Sequence, residues 1–584
     1  MLFGLKTADP LRLQKWRHAV TSWLGEHADS GGQVECHQAT GLTILWITGS
    51  DATPAVWQDA SRIFALYGTA GPDATGRTGL ELLQHRYAAE GIHGLCGLNG
   101  RYNAAVYQKQ SGLLELANDT LGLLPLYYTA GKDFLAFGAR CYPFRFVPGF
   151  DTRLDLQAAS DLLQLGYVIG DRTLNAQARR VPAGAVVCYG ADHHVRTTTV
   201  AKLPFTAERW ATPVPELAMQ MGEILTGALR RGVAAARPGL IPLSGGLDSR
   251  VLAVLAARLH LDCRAVSFGT ARNRDAIIAR RVADALGIPH SIVPVPADAI
   301  AVYLPRHLRL IEGNTDATSG YWFALVDAVG ADAPWILPGH LGDAASGAHL
   351  PALDQEDHRP PEVVFDAAFD AAVRKEGGFS VAELAACMTP EAFAQSGEAT
   401  RAESRRVFFS RGEHNFQRML HWDLLLRQRL FICADMLIAA DAGPVVCPFA
   451  DSEFLRFVVT LPQHALTGQR AYRAMLASLA PRVARIITAD SRHSLLASWQ
   501  KVLWPRLGQW RMGMMARHLR LLRGQKDWWA SVYGPSPGLD RVLSTSIQHL
   551  HGIFRPAFLA DLRAIHPARR RKLALLAKWL ECNT

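Results

Sequence analysis

The sequence contains no CxxC pair, and its nine cysteines (Cys36, Cys96, Cys141, Cys188, Cys263, Cys387, Cys433, Cys447 and Cys582) are odd in number and widely scattered. That spacing excludes a disulfide framework and a cysteine-built zinc site, and it suits a reducing, cytoplasmic setting. Long apolar runs are missing too. The longest, Leu430 to Val446, is interrupted by Asp435 and Asp441, and the opening MLFGLKTADPLRLQKW has no apolar signal-peptide core, so no integral membrane association is expected. There is no internal repeat and no dominant charge. Lys and Arg number 62 against 52 Asp and Glu, a net +10 that suits an anionic small molecule such as a nucleotide but calls for no nucleic-acid partner. What is present is ordinary globular composition: 584 residues, 49% hydrophobic and 20% charged, enough chain for two to four domains of roughly 100 to 200 residues each.

Residues 1–205 are rich in short β-prone runs separated by Gly, Asn or Asp: Leu42 to Thr48, Gly100 to Tyr107, Leu113 to Leu116 and Phe134 to Phe137. They read as a layered α+β domain. One helix is expected from Leu156 to Leu165, with Asp155 as N-cap and Gly166 as stop. Within 206–495 the pattern changes to alternation, with strands at Leu240 to Leu243, Cys263 to Phe268, Ser291 to Val295 and Trp335 to Leu337. Helices at Ser249 to Leu259 and Asp275 to Leu286 separate them. Alternating strands and helices imply a parallel sheet, whose ligands bind beyond the carboxyl ends of its strands, here after Leu243, Phe268 and Leu337. Residues 496–584 read as a helical, basic extension gathering Trp499, Trp504, Trp510, Trp528 and Trp529. Its Arg569-Arg570-Arg571-Lys572 run reads as a solvated helix face, with a peptide- or membrane-contacting surface as the alternative.

The sharpest local feature is Leu243-Ser244-Gly245-Gly246-Leu247-Asp248-Ser249-Arg250, between a β-run and a helix. Paired glycines let backbone N–H groups approach an anion, and the Ser244 and Ser249 hydroxyls with the helix N-terminus add donors, which together make a phosphate cradle. No Gly-Lys-Ser/Thr follows, so this is not a Walker loop. Asp248 would repel phosphate unless Mg²⁺ lay between them. The alternative is a capped helix start with Asp248 favourably placed on the helix dipole.

SGGLDS after a strand resembles the pyrophosphate motif of the asparagine synthetase superfamily, whose members activate a carboxylate as its acyl-adenylate and pass it to an amine. Two further segments extend the resemblance: Asn118-Asp119-Thr120-Leu121-Gly122-Leu123-Leu124-Pro125-Leu126-Tyr127-Tyr128 with Phe137-Gly138-Ala139-Arg140, and Gly339-His340-Leu341-Gly342-Asp343. The resemblance implies a degenerate Ntn-type glutaminase-like α+β domain, then a parallel-sheet ATP-pyrophosphatase domain with a helical C-terminal part. It implies ATP at Leu243, Ser244, Gly245, Gly246, Asp248, Ser249, Ser267, Phe268 and Gly339, and Mg²⁺ on Asp248 and Asp343. Glutamine-hydrolysing members carry a nucleophilic Cys after the initiator Met. Here that position is Leu2, so no glutaminase activity is expected and the domain remains as scaffold.

The family deprotonates its amine with Glu in asparagine synthetases and Tyr in β-lactam synthetases; the local candidate here is His340, a loop histidine contacting nucleotide being the alternative. Glu312 falls on the substrate-side acidic segment, or is a plain loop carboxylate. Cys447-Pro448-Phe449-Ala450-Asp451 resembles an R-x-P-F-x-D turn without its Arg. The Lys that stabilises the adenylate should fall near Gln469 and Arg470, where Arg470 offers the charge in a less adaptable form. The implied activity is closest to lasso-peptide macrolactam cyclases, acting on a precursor peptide alongside a leader peptidase and a leader-binding protein. A β-lactam synthetase or amine-dependent asparagine synthetase is the second reading, and a catalytically silent nucleotide- or peptide-binding homologue the third.

Overall fold

The computed structural model describes residues 1–27, 33–47, 55–233, 238–329, 334–350, 358–489, 532 and 534–583. The five tryptophans at 499, 504, 510, 528 and 529 lie outside the described residues.

The first part stacks two six-stranded antiparallel sheets. One runs in the order Arg179–Arg180, Tyr127–Ala130, Phe134–Gly138, Leu2–Thr7, Leu42–Ile47, Val34–Ala39. The other runs Val195–Thr199, Ala185–Tyr189, Leu113–Asn118, Gly100–Gln108, Arg62–Ala70, Ala55–Gln58. Alternation decides the layering. Leu2, Leu135 and Phe137 meet Leu116, Ala105 and Val187 between the sheets. The opposite faces take helices: Trp16, Val20 and Leu24 of Pro10–His27 pack on Phe3 and Leu5, while Leu82, Leu83 and Tyr87 of Gly79–Glu90 pack on Phe64 and Tyr102. The result is a four-layer helix–sheet–sheet–helix sandwich.

The expected helix spans Leu156–Leu165, with the Asp155 carboxylate accepting from the N–H groups of Gln157 and Ala158 and Gly166 left-handed at φ 84°. It leads into a four-stranded parallel sheet in the order His290–Val293, Cys263–Phe268, Gly239–Pro242, Trp335–Ile336. By appearance in the chain this is strand order 3-2-1-4, so the direction of winding reverses between Gly239–Pro242 and Trp335–Ile336. The loops after these two strands therefore lie side by side. Successive residues face opposite ways: Ile241 and Ala265 join one core with Leu252, Leu255 and Met475, and Leu240 and Val266 join the other with Leu304, Leu325 and Ile438.

The C-terminal segment departs from expectation. Helix Pro567–Asn583 is no extension: Leu573, Leu575, Leu576 and Trp579 belong to the second core of the parallel-sheet domain. Nor is its basic run a solvated face. Arg571 and Lys572 are buried, Arg571 Nε lies 2.9 Å from Asp316, and Lys572 Nζ donates to the Glu376 carbonyl at 3.0 Å. Arg569 donates to the Gly378 carbonyl and lies over the Phe379 ring, and Arg570 pairs with Asp540. Neighbouring acids and carbonyls from distant segments, invisible in a charge count, set these positions. Among the described residues no helix is long and apolar enough to cross a membrane, and all nine cysteines are free thiols.

Candidate active site

The two loops at the winding reversal form the site. Helix Asp248–Arg258 starts directly on the glycine turn. Ser249 Oγ accepts from the Ser244 N–H at 3.0 Å and lies 3.1 Å from Ser244 Oγ, which accepts from the Gly246 N–H at 3.1 Å. Ser244 is exposed and Gly246 half-exposed, so this end of the network faces outward, while Ser249 is buried. Gly245 faces inward, its N–H donating to Asp275 at 3.0 Å and its carbonyl accepting from the Ala489 N–H at 2.9 Å. Arg250, fully buried, donates to the carbonyls of Gly245, Ile486 and Ile487. Burial lowers its pKa to about 10.

The second loop presses onto the first. A Cβ on Gly339 would lie 2.8 Å from the Ser249 nitrogen, and one on Gly342 would lie 2.7 Å from Cβ and Cγ of Asp248. Both positions need glycine so that the strand ends can meet. Asp343, next in the chain, is half-exposed; its Oδ1 accepts from the Ala344 N–H at 2.8 Å and its Oδ2 lies 3.0 Å from Nε2 of His349. His349 Nδ1 in turn lies 2.8 Å from Asp423. Flanked by two carboxylates, the imidazole has its pKa raised to about 10, and against the opposing cost of burial its hydrogen bond and charge bring Asp343 down to about 2. Tyr472, fully buried, neighbours Asp248; burial and then the Asp248 charge push its hydroxyl far above the ordinary range.

His340 is held as half of a pair. Its Nε2 lies 3.1 Å from Oδ2 of Asp435, its ring packs on Trp322 at 5.2 Å, and its buried Nδ1 has no hydrogen-bond partner among the described residues. A carboxylate on Nε2 favours a proton there, and in the neutral ring that puts the lone pair on Nδ1, the tautomer a base requires.

Other expected residues are put to different use. Leu243 is buried, its N–H bonded to Val266 and its carbonyl accepting from Ser267 Oγ at 2.7 Å; Ser267 also lies 2.9 Å from His290 Nε2. These two form the floor of the sheet rather than a nucleotide surface. Phe268 packs edge-on against Tyr321 and Trp322, with its carbonyl accepting from Asn273. Glu312 does not face this site: its carboxylate accepts from the N–H groups of Cys141 at 2.8 Å and Tyr142 at 2.6 Å in the N-terminal domain. Arg470 is exposed at the start of helix Arg470–Leu479, two residues before Tyr472 and so on nearly the opposite side of the helix. Half-buried Arg473 has its pKa lowered by desolvation and its Nε without a hydrogen-bond partner among the described residues. Only its place one residue after Tyr472 marks it, and the sequence gives no reason to prefer it to Arg470.

Among the described residues no cluster of three or more His, Cys, Asp or Glu side chains would hold a metal alone. Two carboxylates beside an outward network of hydroxyls and a helix N-terminus do fit Mg²⁺ that takes its remaining ligands from a triphosphate and water.

An ATP-pyrophosphatase-like parallel-sheet domain following a layered amidotransferase-like domain is the class this fold and site define. The chain belongs to the asparagine synthase family: that family's profile, "Asparagine synthase", matches residues 220–572, and "Glutamine amidotransferase domain" matches residues 64–199. The fold is thus an Ntn-like amidotransferase domain followed by an asparagine synthase domain, in a family of ATP-dependent amide-forming ligases. The chain is 24% identical over 211 residues to "Asparagine synthetase [glutamine-hydrolyzing] 1" of Bacillus subtilis (strain 168), covering 36% of this chain and 33% of that protein. It is 27% identical over 300 residues to "Carboxyethyl-arginine beta-lactam-synthase" of Streptomyces clavuligerus, covering 49% and 54%. The matches thus span about a third to a half of these relatives. Among solved structures, a glutamine phosphoribosylpyrophosphate amidotransferase from B. subtilis aligns at TM-score 0.23 and 12% identity, over 59% of this chain and 77% of that one.

Proposed function

We propose that this chain is an ATP-dependent amide ligase that closes a macrolactam: it adenylates an Asp or Glu side chain of a precursor peptide and joins it to that peptide's α-amine. The observation that carries the reading is the His340–Asp435 pair beside the Asp248–Asp343 loops, with the buried Nδ1 of His340 unengaged. Asp248 and Asp343 would hold Mg²⁺, which neutralises triphosphate charge when bound. The exposed Ser244 hydroxyl, tied to Ser249 Oγ and the Gly246 N–H, would offer the outward group for a phosphate oxygen, and Gly339 lets the second loop close on this turn. In the first step the peptide carboxylate oxygen attacks the α-phosphorus and the bond to pyrophosphate breaks. In the second the amine nitrogen attacks the acyl carbon, the bond to AMP breaks, and the ammonium proton passes to Nδ1 of His340.

His340 is the local candidate for the base that is Tyr in β-lactam synthetases and Glu in asparagine synthetases, and free thiols suit a reducing compartment. A leader peptidase and a leader-binding protein are the partners such a cyclase requires. The β-lactam-synthase relative favours a second reading, intramolecular amide formation on a small molecule. The test is to supply ATP, Mg²⁺ and synthetic peptides carrying a free α-amine and an internal Asp or Glu, and to measure AMP, pyrophosphate and loss of one water from the peptide. The peptide reading predicts all three, each abolished in Asp248→Asn and Asp343→Asn. AMP formed with small amino acids and with no peptide would transfer the assignment to the second reading.

A further inference from the structure

Leu424–Ile432 is wound as a π-helix nine residues long, whereas π turns ordinarily occur singly and at functional sites. A π turn holds more residues than an α turn, so its register decides which way everything after it faces. This segment stands between the two carboxylates that hold the histidines of the Asp343 loop. Asp423 precedes it and bonds His349 at 2.8 Å; Asp435 follows it and bonds His340 at 3.1 Å. Gln428, fully buried inside it, donates back to Asp423 at 3.3 Å.

This segment and Cys433 directly after it are tied to three carbonyls of the other domain. Arg429 Nη2 donates to the carbonyl of Val181 at 2.8 Å and its Nε to that of Gly122 at 3.4 Å, while Cys433 Sγ donates to the carbonyl of Leu123 at 2.9 Å. Thr315 Oγ1 adds a bond to the Leu430 carbonyl at 2.9 Å. The receiving turn is built for the contact. Asp119 Oδ1 accepts from the N–H groups of Leu121 and Leu123, and Gly122 is left-handed at φ 59°. A Cβ there would lie 2.9 Å from Asn118 Nδ2 and 3.2 Å from Arg429 Nε. The Asn118–Tyr128 motif of the amidotransferase-like domain is thus the socket for one synthetase side chain. Burial lowers the Arg429 pKa to about 10, and the like charge of Arg180 adds to that, so this contact is held against an electrostatic cost.

We propose that the amidotransferase-like domain serves as the seat of the synthetase site, with Arg429 as a positioning residue. Its bonds to Gly122 and Val181 fix the π register and so fix where Asp423 and Asp435 hold His349 and His340. The proposal rests on the ligase reading for its consequence in catalysis, but its structural content is testable without a substrate.

The experiment compares the full chain with Arg429→Met, Arg429→Lys and Gly122→Ala, the last acting from the other domain. Hydrogen–deuterium exchange should rise in Arg429→Met and Gly122→Ala at both 424–435 and 339–349, with the strands of the first domain protected as before. Lys should restore most of the protection. A fluorescent ATP analogue titrated with Mg²⁺ should need at least about fivefold more Mg²⁺ for half-saturation in the same two variants, a readout that loss of global stability alone would not move. If Arg429→Met does not fold, Gly122→Ala and Arg429→Lys carry the comparison. Unchanged exchange at 339–349 in a folded Arg429→Met or Gly122→Ala overturns the proposal. Failure of the wild type to bind the analogue would count against the ligase reading, while the exchange result would still decide the role of Arg429.

Discussion

Gly342 has no side chain where Asp248 stands: a Cβ at 342 would come within 2.7 Å of Cβ and Cγ of Asp248 and 2.8 Å of its Oδ1. The loop that carries Asp343 comes this close to Asp248 only because Gly342 has no bulk. Its φ is not in the left-handed region, so an alanine would be strained by contact alone. Gly342→Ala should therefore displace Asp248 and lower the rate of AMP release about a hundredfold, in line with small misplacements at reacting centres. Circular dichroism and melting temperature should change little. Activity within twofold of wild type would show that the close approach is not needed.

Loss of the proposed base should separate the two chemical steps. His340→Ala is expected to keep adenylation, followed as ATP–pyrophosphate exchange, while amide formation slows by roughly 10² to 10⁴. Asp435→Asn should act in the same direction, because an amide can donate to Nε2 and favour the proton on Nδ1. Adenylated peptide, or AMP with unclosed peptide, is the species to look for by mass spectrometry. Loss of nucleotide binding in His340→Ala would return the residue to a role in loop order.

A third expectation concerns pH and lies away from the chemistry. Asp161 is fully buried, accepting from Thr400 Oγ1 at 2.7 Å and the Ile169 N–H at 3.2 Å, with Arg172 at 3.7 Å; burial raises its pKa from 3.8 to about 7. A raised carboxyl contributes stability that is fully present below about 3.8 and lost as pH rises through about 7. The stability of wild type relative to Asp161→Asn, measured by urea unfolding, should fall by about 4 kcal/mol between those limits and then level off. A flat difference would mean that Arg172 keeps the carboxylate ionised throughout.

Glutamine should not serve as an ammonia source. The strand Leu2–Thr7 opens on Leu2, buried and paired with Trp46, and the sequence resemblance implies that glutamine-hydrolysing members carry their thiol at this position. Incubation with glutamine should release no glutamate and leave AMP formation unchanged. Glutamate release by pure protein would refute this.

The sequence by itself determined what depends on near neighbours along the chain. The Asp155 cap and Gly166 stop bounded their helix, strand–helix alternation specified the parallel sheet, and the glycine-paired motif after Leu243 marked the turn on which helix Asp248–Arg258 starts. Each signal is local, set by backbone preference and by which face of an element is apolar. Tertiary structure alone decided who partners the reactive side chains. His349 meets Asp423 across 74 positions and His340 meets Asp435 across 95, pairings that no spacing rule reaches. For the same reason Glu312 could not be told from a substrate-side acid, nor buried Arg571 and Lys572 from a solvated face. Whether a charge lies in water or against a distant carbonyl depends on the packing of remote segments, and that packing also placed Arg429 in the socket of the first domain.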